Sequence, residues 1–182
     1  MPSSVTIHSG SSFRAGPRAA GQRGFTILEL VITAAIVAIL AATATPYLGE
    51  LVRNERVKTA VSNVNSSIIY ARSEAIKRNQ IVAICASTDG TDCAGSANWA
   101  TGWIVFVDTD GDGAPAAAVD ILKKQDPVSG VTLTGTATNL SYQRDGRLVA
   151  PLAADFVVGA TGSPSRCVAV SLSGRPNIKV GC

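Results

Sequence analysis

Histidine is almost absent from this sequence. The one copy, His8, lies in the first segment, so a chain shortened at its N-terminus would hold no imidazole. That excludes Ser-His-Asp and Cys-His catalysis and removes the commonest metal ligand. A G-x-S-x-G nucleophile motif is also missing, so neither an enzyme nor a cofactor is expected. Net charge is lacking beyond Gly24. Arg14, Arg18 and Arg23 are three of the sixteen basic residues, which leaves thirteen against thirteen acids in the remainder. A balanced body gives no general reason for nucleic-acid binding, so that reading must rest on a local patch. The four cysteines include no tight C-x2-C pair of the zinc-knuckle kind. Their even number, downstream of an export-like segment, points instead to two disulfides in an oxidising compartment. Of the three pairings, the one that keeps both loops local joins Cys85 to Cys93 and Cys167 to Cys182. Each bond contributes on the order of 2–4 kcal/mol.

What is present falls into four stretches. Residues 1–24 are rich in Ser, Gly, Ala and Arg, contain no acid, and read as a leader excluded from the fold. Residues 25–48 form an almost unbroken apolar run, long enough for a transmembrane helix with basic residues only on its N-terminal side. That places the N-terminus in the cytoplasm and the rest outside. Residues 49–79 continue as an amphipathic helix, with Val57, Val61, Val64, Ile68, Ala71 and Ala75 at steps of four and three. Pro46 is expected to kink this helix rather than end it, and Asn79 to stop it. Residues 80–182 break into β-rich runs between turn residues: IVAICAS, GWIVFVD, AVDILKK, GVTLTG, NLSYQ, DFVVG, RCVAVSL and NIKV. Their close spacing favours antiparallel hairpins with the helix over one sheet face. The fold class is α+β: a long N-terminal spine helix on a C-terminal antiparallel β domain.

Glu29 is the anomaly in the apolar run. A carboxylate costs roughly 2.5–3.5 kcal/mol at mid-membrane. The stretch around it, RGFTILELVI, resembles the signal of the type IV pilin and type II secretion pseudopilin superfamily. ARSEAIKRN (71–79) and NWATGWIVFVDTDGDG (98–113) resemble the GspH/FimT group within it, which includes FimU-like minor pilins. The resemblance implies a pilin-like fold and cleavage by a prepilin peptidase between Gly24 and Phe25, with N-methylation of Phe25. It also implies that Glu29 neutralises a neighbouring subunit's Phe25 ammonium during assembly, so that two unfavourable buried charges become a pair. The implied partners are other pilins, the peptidase and the inner membrane; the implied destination is a type IV pilus or, alternatively, a type II secretion pseudopilus. A conventional secretory signal cut after Ala42-Thr43-Ala44 is the competing reading; Glu29 and the helical pattern past that point stand against it.

Three other features admit more than one reading. Asp108, Asp110 and Asp112 in DTDGDG start like a calcium loop, but the twelfth position is Val119 where an EF-hand needs glutamate. A Gly-rich turn after a strand is the favoured reading, and no metal is expected. Trp99, Trp103 and Phe106 read as core, on a strand buried on both faces. The C-terminal third is locally basic, and uptake pilins of the resembled group carry Gly-Arg-x-Arg near the C-terminus. Here Gly174-Arg175-Pro176-Asn177 keeps only the first arginine. A DNA-binding role would use Arg175, Lys179 and Arg166.

Overall fold

The computed structural model describes residues 24–149 and 154–182, with the side chains of 43–47 left aside. One helix, α1, runs over Ile27–Arg78 and continues through Pro46. Residues up to Thr43 form one unit and Ala44–Cys182 a second. In the first unit every residue from Gly24 to Ala42 is exposed. The leader expected over 1–24 lies, apart from Gly24, outside the described residues.

In the second unit α1 buries Val57, Ala60, Val61, Val64, Ile68, Ala71 and Ala75. The four-and-three spacing sets these on one stripe, and each buried Val or Ile contributes roughly 1.5–3 kcal/mol as an upper value. The helix ends as its sequence dictates. Asn79 takes a left-handed φ of 54°, the Gln80 N–H donates to the Ala75 carbonyl at 3.3 Å, and the Asn79 N–H donates to that of Ile76 at 3.4 Å. This paired closure is the Schellman motif, which asparagine tolerates better than most residues.

Eight strands follow: β1 (Val82–Ala86), β2 (Trp103–Val107), β3 (Ile121–Gln125), β4 (Thr132–Gly135), β5 (Asn139–Tyr142), β6 (Ala154–Ala160), β7 (Ser163–Val170) and β8 (Pro176–Val180). They form two four-stranded sheets, ordered β3-β2-β1-β5 and β4-β6-β7-β8, with every pairing antiparallel. All eight β runs read from sequence carry a strand and pair antiparallel as expected, but not every sequential pair forms a hairpin. β5 returns to β1 rather than pairing with β4, and β4 joins β6 in the second sheet. Residues 118–120, read as strand, form a 3-10 turn, in which the Asp120 carboxylate accepts the Ala117 N–H at 3.1 Å.

The core lies between α1 and both sheets. It gathers the helix stripe with Ile84, Trp99, Trp103, Val105, Leu133, Tyr142, Phe156 and Val168. Trp99 meets Phe156 edge-on, with ring centroids 4.8 Å apart, and donates its indole N–H to the Ala137 carbonyl at 3.1 Å. β2 is buried on both faces, because Ile104 and Phe106 pack beneath the first sheet with Ala83 and Cys85.

Candidate processing and assembly site

Gly24, Phe25 and Thr26 lie outside the helix, which starts at Ile27. The Thr26 hydroxyl accepts the Glu29 backbone N–H at 3.2 Å, and the Thr26 carbonyl accepts the Leu30 N–H at 3.2 Å. Threonine is thus an N-cap, with Glu29 at the third helical position, where a carboxylate also favours the positive end of the helix dipole. The Thr-x-x-Glu spacing is the sequence signal for this cap, a signal the charge of Glu29 overshadows. The Gly24–Phe25 bond therefore lies outside the helix, just ahead of its first turn.

The helix that follows offers a continuous apolar surface. Phe25 is 81% exposed and Ile27 86%, and Leu28, Leu30, Val31, Ile32, Ile36, Val37, Ile39 and Leu40 are exposed with them. Glu29 is the lone charge from Phe25 to Ala42. Among the described residues it enters no ion pair. Also among the described residues, no helix is long and apolar enough to cross a membrane. The span expected over 25–48 includes 43–47, whose side chains are not described. Residues 27–42 alone rise about 24 Å, short of a hydrocarbon core of about 30 Å.

Two further sequence motifs resolve into structural parts. In ARSEAIKRN, Glu74 is buried and its carboxylate accepts the Arg78 Nε–H at 2.5 Å and the Lys77 ammonium at 3.5 Å. The Arg78 hydrogen bond holds its pKa below the ordinary value, against the opposing effect of burial. In DTDGDG, the buried Asp108 carboxylate accepts the backbone N–H of Gly111 at 2.8 Å and of Gly113 at 3.1 Å. Asp110 and Asp112 are exposed beside it, all three offering oxygens within 4.8 Å of one another. Burial pushes the Asp108 carboxyl up, and the two glycine N–H groups pull it back. This is a turn closed by its own aspartate.

Disulfides join Cys85 to Cys93 and Cys167 to Cys182, with Cα–Cα distances of 5.6 and 5.9 Å. Of the three basic residues named for DNA, Arg175 and Lys179 line one open trough of about 490 Å³ on the outer face of the second sheet, with Asp155 and Asn177. Arg166 is not with them. It pairs with Val158 and shares the core-facing side of β7 with Val168 and Val170, because alternate residues of a strand face opposite ways.

An N-terminal helix with its apolar segment bare, continuing as a stripe packed on antiparallel sheets, defines the pilin-like class of proteins. Within that class the chain belongs to the family described as type II transport protein GspH, whose model matches residues 60–174. The prokaryotic N-terminal methylation motif matches residues 20–45. Two fimbrial proteins of Pseudomonas aeruginosa are 37% identical over 68 residues, which is 37% of this chain and 44% of theirs. The chain thus spans less than half the length of these curated relatives. The type IV minor pilin FimU of Pseudomonas aeruginosa shares the fold in two crystal forms. One gives a TM-score of 0.55 at 24% identity over 69% of this chain and 89% of that one. The other gives 0.52 at 25% over 67% and 91%. None of these similarities supports the DNA-binding reading.

Proposed function

We propose that this chain is a minor pilin or pseudopilin: a structural subunit, not an enzyme, cut after Gly24, methylated at Phe25 and assembled through α1. One observation carries this reading. The exposed apolar helix surface begins directly after the non-helical Gly24–Phe25 bond, inside the stretch matched by the methylation motif. Before assembly the segment 25–48 sits in the inner membrane as a single pass, with the domain that follows it in the periplasm. Two disulfides suit that oxidising side. In a filament, Glu29 meets the Phe25 ammonium of a neighbour, and pairing offsets the desolvation of both charges.

The test is Glu29→Ala. Membrane insertion should stay intact or improve, since a charge costing up to roughly 3 kcal/mol has left the bilayer. Recovery of the subunit in sheared filaments should fall at least about tenfold. Normal incorporation of the alanine variant, with cleavage unaffected, sinks the pairing role. The fimbrial relatives favour a type IV pilus as the destination, while the GspH family match favours a type II secretion pseudopilus. Loss of surface display in a strain lacking the pilus assembly ATPase, but not in one lacking the secretion ATPase, decides for the pilus.

A further inference from the structure

β8 closes one side of the second sheet, yet it is the least buried strand. Ile178 is 44% exposed and Val180 65%. The other edges of the two sheets differ. β4 is bridged by Asn98 at Thr134, and β5 by Leu148 at Tyr142. β3 is offset by a bulge in its pairing with β2 and carries the adjacent Lys123 and Lys124, both of which discourage further pairing.

The backbone of β8 has a definite direction. The Arg175 carbonyl accepts the Ser171 N–H at 3.1 Å, and the Gly181 N–H donates to the Ser165 carbonyl at 3.0 Å. Alternate residues of an antiparallel strand point their N–H and C=O the same way. Residues 175, 177, 179 and 181 therefore bond to β7, and Pro176, Ile178 and Val180 turn theirs outward. Pro176 has no N–H to offer, so Ile178 and Val180 supply the outward donors, unpaired among the described residues. Their side chains lie on the core side of the sheet, in register with Val168 and Arg166, where both stay partly exposed. On the opposite face Arg175 and Lys179 stand in the trough, against a single carboxylate from Asp155. The Cys167–Cys182 bond closes just past β8 and fixes its end to β7.

The geometry points to β8 as a docking edge for an extended segment of a partner protein with alternating apolar and acidic residues. The added strand pairs with the free backbone groups of Ile178 and Val180. Its apolar residues cover those two side chains, and its carboxylates face Lys179 and Arg175. Positions 177 and 179 are the non-hydrogen-bonded sites of the new pair, where side chains approach most closely, at about 4.5–5.5 Å between Cβ atoms. Alternate side chains thereby read the partner while the backbone holds it. This edge is distinct from the α1 surface, so its failure leaves the assembly reading untouched, and the reverse.

The experiment uses the full chain, oxidised and in detergent micelles, titrated with short fluorescent peptides of alternating valine and glutamate or alternating valine and lysine. Anisotropy should show the acidic peptide binding roughly tenfold tighter at low salt, the preference shrinking as salt rises. Ile178→Pro removes one outward donor without touching the β7 ladder and should weaken binding at least about tenfold. Lys179→Glu, an exposed change that leaves the fold alone, should reverse the preference between the two peptides. Absence of binding, equal binding of both peptides, or an unchanged preference in Lys179→Glu overturns the proposal.

Discussion

Glu74 and Gly174 show how single residues set the limits of this fold. Glu74 is buried, and the Arg78 hydrogen bond holds its pKa below the ordinary glutamate value. A carboxyl depressed in the folded state contributes stability that is present above its unfolded value and is lost as pH falls through the folded one. Glu74→Gln should therefore lower stability near neutral pH by about 1 kcal/mol, the exposed Lys77 adding little. It should also flatten the decline in stability as pH falls through the acid range in denaturant melts. A decline as steep as that of the parent would mean that another carboxyl governs acid sensitivity. Gly174 is buried with φ +77°, and a Cβ there would collide with the Gly146 carbonyl and the Tyr142 ring. The Tyr142 hydroxyl already donates to the Gly174 carbonyl at 3.4 Å, and burial pushes its pKa well up. Gly174→Ala should cost about 1–3 kcal/mol by urea midpoint, from strain and displacement together. The glycine that suggested a DNA motif is thus required by a turn, independently of any ligand.

At the scale of elements, the sequence spoke most clearly where a period repeats. The helix stripe is buried at every position that the spacing singled out, and Asn79 ends it. The strands were legible because β-branched runs alternate with turn residues. Their partners were not, since nothing local in NLSYQ says that it returns across more than fifty residues to β1. The same gap hid the site on the second sheet. Arg166 and Arg175 are near in sequence, but strand parity sends Arg166 to the other face. Thr26 was missed for a different reason: attention fell on the charge of Glu29, while the cap uses its backbone N–H. Thr26→Ala should cost about 1 kcal/mol of helix stability at that end, visible as faster amide exchange at Glu29 and Leu30. The disulfides divide similarly by element. Serine at Cys167 and Cys182 should accelerate exchange in β8, at the Lys179 amide above all, while β1 and β2 keep their protection. Equal loosening of both sheets would show that the bond stabilises the whole domain, not one exposed strand.

For the whole molecule, the decisive property is division of labour along one chain. From Val57 onward, the helix stripe and the sheets bury each other. From Phe25 to Ala42 the apolar side chains are left exposed, and exposed apolar surface on that scale marks a membrane or protein contact. Under the proposed function, peptidase cleavage at the start of this surface turns a membrane-held precursor into a filament subunit. Mass spectrometry of the protein extracted from its native membrane tests this most directly. The expected result is a chain that begins at Phe25 with one added methyl group on its amine. A chain that keeps its first twenty-four residues, or one that begins after Ala44, contradicts it.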